Sequence, residues 1–318
     1  MMASPNAAAL HIETPLLASQ AIAARAGQQL WLKMEALQPS GSFKLRGIGH
    51  ACASHAAQGA RRIVSSSGGN AGLAAAYAAR RLGLPALVVV PETASERARA
   101  LLAREGAQVL VHGASFQEAN AHAQSLLGAG DAFIHPFDDP LLWEGHASMI
   151  DEVAASGLRP DAVVLAVGGG GLLAGVVAGL RRQGWTDVPV IAVETEGADA
   201  YAQSLRAGAL VELPAIASIA TSLGARKVSR HAFDLAESHP IASSVVSDAQ
   251  AVAACLRFMD DHRVVVEPAC GAALAVAYAG HAALAAYTNV LVIVCGGATA
   301  TVARLQAWGV QLGVGMPA

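Results

Sequence analysis

The chain has 318 residues, 54% of them hydrophobic and only 14% charged, with a net charge of -3. That length allows two domains or one large one with a substantial core, and the charge balance excludes a basic nucleic-acid face or a polybasic membrane arm. Cys52, Cys255, Cys270 and Cys295 are scattered without a Cys-x-x-Cys pair, and the eleven histidines contain no His-Glu-x-x-His; this argues against a disulfide frame or a zinc ribbon and for a reducing compartment.

Residues 1–9 lack a basic stretch followed by an apolar one, so no secretory leader is read there and a cytoplasmic location is expected. The first expected strand covers 30–34. After it comes the run Gln38-Pro39-Ser40-Gly41-Ser42-Phe43-Lys44-Leu45-Arg46-Gly47. Lys44 is one of three lysines, with Lys33 and Lys227. A small Ser-Gly-Ser turn and an aromatic ring precede it. There an aldehyde can approach the amine to form a Schiff base, and a flat heteroaromatic ring can stack on Phe43. A surface lysine on a turn is the ordinary reading, and the loops downstream outweigh it.

Strand 62–65 runs into Ser65-Ser66-Ser67-Gly68-Gly69-Asn70-Ala71-Gly72 and then a helix over 71–82. Free amides and the helix dipole make such a junction an anion site, suited to an amino-acid carboxylate. A serine-capped helix start explains the same residues about equally well. Strands at 86–90 and 109–111 then alternate with helices at 95–105 and 116–127, the pattern of an α/β fold with mostly parallel strands. A break falls at His135-Pro136-Phe137-Asp138-Asp139-Pro140. It divides the chain into a large domain, 1–40 with 141–318, and a small domain, 41–140.

The uncharged run 162–180 is long enough to span a membrane. Its four central glycines make strand 162–167, a tight turn and helix 171–182 the better account. Gly168-Gly169-Gly170-Gly171 exposes successive amides that can wrap a phosphate at the helix start. A rival remains, because Gly169, Gly171 and Ala174 fit the Gly-x-Gly-x-x-Gly/Ala dinucleotide fingerprint, with Glu194 ending the next strand, 190–193, where an acid would hold a ribose. That rival, an NAD-dependent oxidoreductase, leaves Lys44 and the 67–72 loop unexplained. Helices are expected at 248–260 and 271–286. Strand 291–294 ends at Cys295-Gly296-Gly297, where ligands of open α/β sheets collect; a small buried hydrophobe is the commoner fate of a cysteine.

With these loops in order, the chain resembles the pyridoxal-phosphate enzymes of the tryptophan-synthase β fold, fold type II. Within them it looks like the L-serine/L-threonine dehydratases, or ammonia-lyases. The matching stretches are 38–47, 66–79, 136–148, 166–175, 266–272 and 292–297, which span nearly the whole chain. The resemblance implies two open, twisted, mostly parallel α/β domains with pyridoxal 5'-phosphate in the cleft between them. It implies β-elimination from L-serine, and from L-threonine, to pyruvate or 2-oxobutyrate and ammonia. Serine racemase and the β-replacement synthases are the alternatives within the fold. A non-catalytic amino-acid-binding module would have no need for Lys44.

The resemblance also assigns residues. Lys44 carries the cofactor and acts as base, and Phe43 stacks on its ring. Asn70 bonds the phenolic oxygen. Gly168, Gly169, Gly170 and Gly171, with the amide of Leu172, hold the phosphate. Ser67, Gly68, Gly69, Asn70 and Ala71 take the substrate carboxylate. Cys295 faces the pyridine nitrogen, and Ser222 lies on the other side of the ring. A monovalent cation, potassium, is expected at Glu194 with the carbonyls of Ala198, Leu223 and Ala225, although Ala200 lacks a hydroxyl that some relatives offer. The short stretch after the Cys295 strand leaves no room for a regulatory domain and suggests a catabolic enzyme. A homodimer is expected from family precedent and the low charge.

Overall fold

A computed structural model describes residues 9–22 and 28–315. The stretch read above for a leader lies almost wholly outside them. In chain order the elements begin with β1 (Leu16–Ser19), β2 (Gln29–Lys33), α1 (Lys44–Ala57), β3 (Arg62–Ser65), α2 (Asn70–Leu82), β4 (Ala86–Val90) and α3 (Glu96–Arg104). There follow β5 (Gln108–Val111), α4 (Phe116–Ser125), β6 (Asp131–Phe133), α5 (Pro140–Ala155), β7 (Ala162–Ala166) and α6 (Gly171–Arg182). The chain ends through β8 (Val190–Thr195), α7 (Ala200–Ala207), α8 (Arg230–Asp234), β9 (Ile241–Val246), α9 (Asp248–His262), α10 (Pro268–Tyr278), β10 (Asn289–Ile293) and α11 (Val302–Gln311).

The strands form two sheets. One has six strands in the order β1-β2-β10-β7-β8-β9, and the other four in the order β5-β4-β3-β6. Every pairing is parallel except β1 with β2. All four strands of the smaller sheet fall within 62–133. The central strands are buried along almost their whole length, as parallel strands covered on both faces must be: β7 is Ala-Val-Val-Leu-Ala and β10 Asn-Val-Leu-Val-Ile. One apolar core surrounds the six-stranded sheet, and two smaller clusters surround the other.

Most expected elements are present within a residue or two. The helix expected over 271–286 is displaced: it opens at Pro268 behind Glu267 and stops at Tyr278. Gly280, at φ +55, turns the chain out of the helix, and only a short 3-10 turn over Ala282–Leu284 follows. The break at 136–140 is itself a helix start. Asp139 accepts the Leu141 amide at 2.8 Å and Pro140 takes the first turn of α5, where its missing N–H costs nothing. The uncharged run 162–180 is β7, a turn and α6. Among the described residues no helix is long and apolar enough to cross a membrane.

Candidate active site

The carboxyl ends of β3, β7 and β10 converge on one cavity of about 790 Å³. Phe43, Lys44, Ser67 to Ala71, Gly168 to Leu172, Ser222, Leu223, Ala225 and Cys295 all line it. Residues far apart in the chain thus meet because parallel strands deliver their following loops to the same edge. Glu194 and Ala198 are not on this wall.

Lys44 begins α1. Its amine donates to the carbonyl oxygen of Pro136 at 2.5 Å and lies 5.1 Å from the centre of the Phe43 ring. Burial drives its pKa down from 10.5 to about 8, with Cys295 and Glu267 pulling the other way. A free amine is therefore accessible near neutral pH. The first turn of α1 is fixed from beneath. Gly47 donates its amide to Nδ1 of the buried His146 at 3.1 Å, and the His146 ring lies 4.9 Å from that of Phe43. Arg46, fully buried, makes a two-pronged contact with Glu35 at 2.7 and 2.8 Å. It makes another with Glu152 of α5 at 2.6 and 2.7 Å. Glu152 also pairs with Lys33. Of the other two lysines, Lys33 is thus committed to an ion pair, whereas Lys44 has no carboxylate in ion-pair contact among the described residues.

The four-glycine turn joins β7 to α6, with Gly170 at φ +95. A β-carbon there would come within 2.3 Å of that of Ala232, so residue 170 must be glycine on both grounds. The turn leaves the first amides of α6 without side chains in front of them. It has room for a phosphate at the positive end of the helix. Ser67 to Ala71 make the same kind of junction at the start of α2. Neither helix has a side-chain cap, in contrast to α3 and α4, which Ser95 and Ser115 cap. An ordinary serine-capped start therefore does not describe the 67–71 loop.

Two further residues carry the site and were given no role from sequence. Glu267, nearly fully buried on the cavity wall, accepts from Asn70 Nδ2 at 2.6 Å. Burial holds its carboxyl above the ordinary range, although Ser222 and Asn70 as hydrogen-bonding partners, the Lys44 charge and Thr299 pull the other way. A detectable signal is an acid directly before the Pro268 that starts a helix, where the macrodipole favours negative charge. Phe137 is the other. Its ring fills the space beside Gly169, and its carbonyl oxygen accepts the Trp143 indole N–H at 2.9 Å.

Glu194 is not a surface acid at a strand end. It is fully buried, and its two oxygens accept the amides of Tyr201 and Ala202 at 2.9 and 2.7 Å, at the start of α7. Burial raises its pKa to about 8 despite those bonds. So placed, it does not reach the cavity to hold a ribose, and the dinucleotide rival loses its acid.

A family model described as pyridoxal-phosphate dependent enzyme matches residues 8–296. An L-serine dehydratase/L-threonine deaminase of Mus musculus is 49% identical over 97% of this chain and 98% of its own length. The solved structure of a fungal L-serine ammonia-lyase from Rhizomucor miehei superposes with a TM-score of 0.90 at 36% identity, covering 95% of this chain and 99% of that one. Maize serine racemase superposes with a TM-score of 0.85 at 26% identity, covering 95% of this chain and 93% of that one. The fold is shared with both activities, and the sequence is more similar to the lyase.

Proposed function

We infer that this chain, which belongs to the pyridoxal-phosphate dependent enzymes, is a lyase that deaminates L-serine and L-threonine by β-elimination. The observation that carries this is the desolvated Lys44 amine opening into the cavity where two amide-lined helix starts converge. The cavity fits pyridoxal phosphate: one helix start suits the phosphate, the other a carboxylate, and Asn70 Oδ1 is a buried acceptor without a partner on the wall.

Bound there, pyridoxal phosphate would supply an aldehyde for the substrate amine and a conjugated ring to accept charge from Cα. Gly168 to Gly171 and the Leu172 amide hold its phosphate. Phe43 would cover one side of the ring, Ser222 the other, and Cys295 would meet the pyridine nitrogen. Ser67 to Ala71 orient the substrate carboxylate, which points the Cα–H bond at Lys44. Lys44, with a pKa near 8, removes that proton as general base. The β-hydroxyl would leave as water, taking up a proton in place of the one Lys44 removes, and hydrolysis of the product would give pyruvate, or 2-oxobutyrate from threonine, with ammonia.

The small domain is taken as 41–140 and the large one as 1–40 with 141–318. Glu194, with the carbonyls of Ala198, Leu223 and Ala225, is proposed to hold potassium. The chain is proposed to act as a homodimer in the cytoplasm, where its four buried, unpaired cysteines would stay reduced. The test of the activity is to supply L-serine and pyridoxal phosphate to the purified protein. Pyruvate and ammonia should appear in equal amounts. D-serine as the main product would identify a racemase instead.

A further inference from the structure

Asn70 and Glu267 come from different sheets. Asn70 opens α2, behind β3 of the four-stranded sheet, and Glu267 precedes α10, which packs on β7 and β8 of the six-stranded sheet. Both are more than nine-tenths buried. Asn70 Nδ2 donates to Glu267 Oε1 at 2.6 Å. In this contact the carboxyl oxygen accepts, so it decides which way the amide points: the nitrogen faces Glu267. Asn70 Oδ1 is then buried with no partner among the described residues. A buried acceptor without a donor is costly to a fold, and its persistence on a cavity wall points to a donor brought by a ligand.

We propose that Glu267 is a positioning residue that locks the Asn70 amide, holding Oδ1 as the acceptor for a proton borne by the bound cofactor. This rests on the pyridoxal phosphate reading of the cavity and adds to it. Asn70 was expected only to bond the phenolic oxygen; the pairing sets its orientation. An acceptor held in place favours the tautomer with a proton opposite it. An amide free to turn over would present a donor half the time and lose that preference. Glu267→Gln creates that freedom, because a second amide can accept or donate.

Tautomers of bound pyridoxal phosphate absorb at different wavelengths, so the ratio of the visible band to the near-ultraviolet band reads the effect directly. The unmodified protein, Glu267→Gln, Asn70→Ala and the double variant would each be titrated with pyridoxal phosphate. Glu267→Gln should shift the band ratio and weaken cofactor binding about tenfold, the scale of one hydrogen bond to a charged group. The double variant should match Asn70→Ala alone, since without the amide Glu267 has nothing to orient. If Glu267→Gln does not fold, Glu267→Asp keeps the charge but withdraws it from Nδ2, and the same shift is expected. Two results overturn the proposal. In one, the ratio moves as far on adding Glu267→Gln to Asn70→Ala as in the unmodified protein, which would make Glu267 act through its own charge. In the other, the melting temperature falls while the ratio stays put, which would make it a fold contact only. Absence of both bands from the unmodified protein, once unbound pyridoxal phosphate has been removed, would overturn the cofactor assignment along with it, so the two failures are distinguishable.

Discussion

The ring of Phe137 lies where a β-carbon on Gly169 would have to go, with Cγ 2.3 Å from that position. Phe137 is not free to retreat. Its carbonyl oxygen holds the Trp143 indole N–H, and Trp143 stacks on His231 at 3.9 Å with planes 10° apart. Gly169→Ala therefore overpacks the phosphate turn, at roughly 1–3 kcal/mol. Pyridoxal phosphate should bind about ten- to a hundredfold more weakly, with circular dichroism unchanged. Titration of the cofactor's absorbance measures this. Tight uptake of NAD by the unmodified protein, without pyridoxal phosphate, would restore the dinucleotide turn.

Lys44 should be the lysine that reduction with borohydride labels in the holoenzyme, and peptide mapping that finds Lys33 or Lys227 instead would refute the assignment. Its desolvation gives a second readout in the cofactor-free protein. Below its pKa the amine is an ammonium and unreactive; above it, a nucleophile. The rate of amine modification at Lys44 should rise with a midpoint of about 8, well under the ordinary 10.5. Lys44→Ala should remove nearly all elimination activity, at least the roughly hundredfold attributed to a positioned general base.

A β-carbon on Gly68 would meet Ala94 Cβ and Val90 Cγ1, each at 3.3 Å. It would push against the 91–95 segment, which also lines the cavity. Gly68→Ala should therefore tighten the space beside the substrate's β-carbon and lower the threonine-to-serine ratio of kcat/KM. One methyl group is worth roughly 1–3 kcal/mol in such discrimination. An unchanged ratio would place Gly68 away from the substrate.

Glu194 ties pH to stability and to the cation. Its carboxyl titrates at about 8 when folded, against 4.5 as an ordinary glutamate. The folded state keeps the proton that the unfolded state has released, so this contribution is full below 4.5 and is lost as pH rises through about 8. The described protein should thus lose stability over that window, and Glu194→Gln should not. A cation bound at the carboxylate works against the loss. At a hundredfold excess over its Kd, potassium should restore about 2.7 kcal/mol near pH 8 in the unmodified protein and less in Glu194→Gln. Denaturant melts with and without potassium decide it; equal responses would remove Glu194 from the cation site.

The loops of the site are legible in the sequence because each follows an apolar strand and consists of residues with few other uses, such as Gly168 to Gly171. The elements that escape notice lack such contrast. β9 reads Ile-Ala-Ser-Ser-Val-Val, an edge strand without alternation. β6 has only three residues. α1 carries Gly47 and Gly49, which lower helix propensity by about 1 kcal/mol each, and the packing of α1 against α2 and α5 overrides that. The contacts that organise the site are long-range and leave no local trace. Glu267 lies 197 residues from Asn70 and Glu152 106 from Arg46. A carboxylate's partner across such a distance is set by topology, not by spacing.

Cys295 follows β10 and is nearly buried on the cavity wall. A hydrogen bond with Cys270, then burial, then the charges of Cys270 and Glu267, push its thiol well above the usual range. It therefore stays neutral and, in the proposed role, would offer the pyridine nitrogen a weak donor but no charge. Cys295→Ser keeps a neutral partner and should retain elimination. Cys295→Asp introduces a carboxyl close to Glu267, and two buried acids so placed do not both ionise easily. A protonated ring nitrogen would stabilise the ionised aspartate, and in that state the ring draws charge from Cα more strongly. Charge that lingers at Cα is open to reprotonation and transamination, whereas prompt loss of the β-hydroxyl needs no stronger sink. Pyruvate formation in Cys295→Asp should fall at least about tenfold, equivalent to ~1.4 kcal/mol in the barrier, while D-serine and pyridoxamine phosphate rise. Chromatography of all three products measures the partition. If the variant binds cofactor normally and the partition is unchanged, Cys295 does not tune the ring.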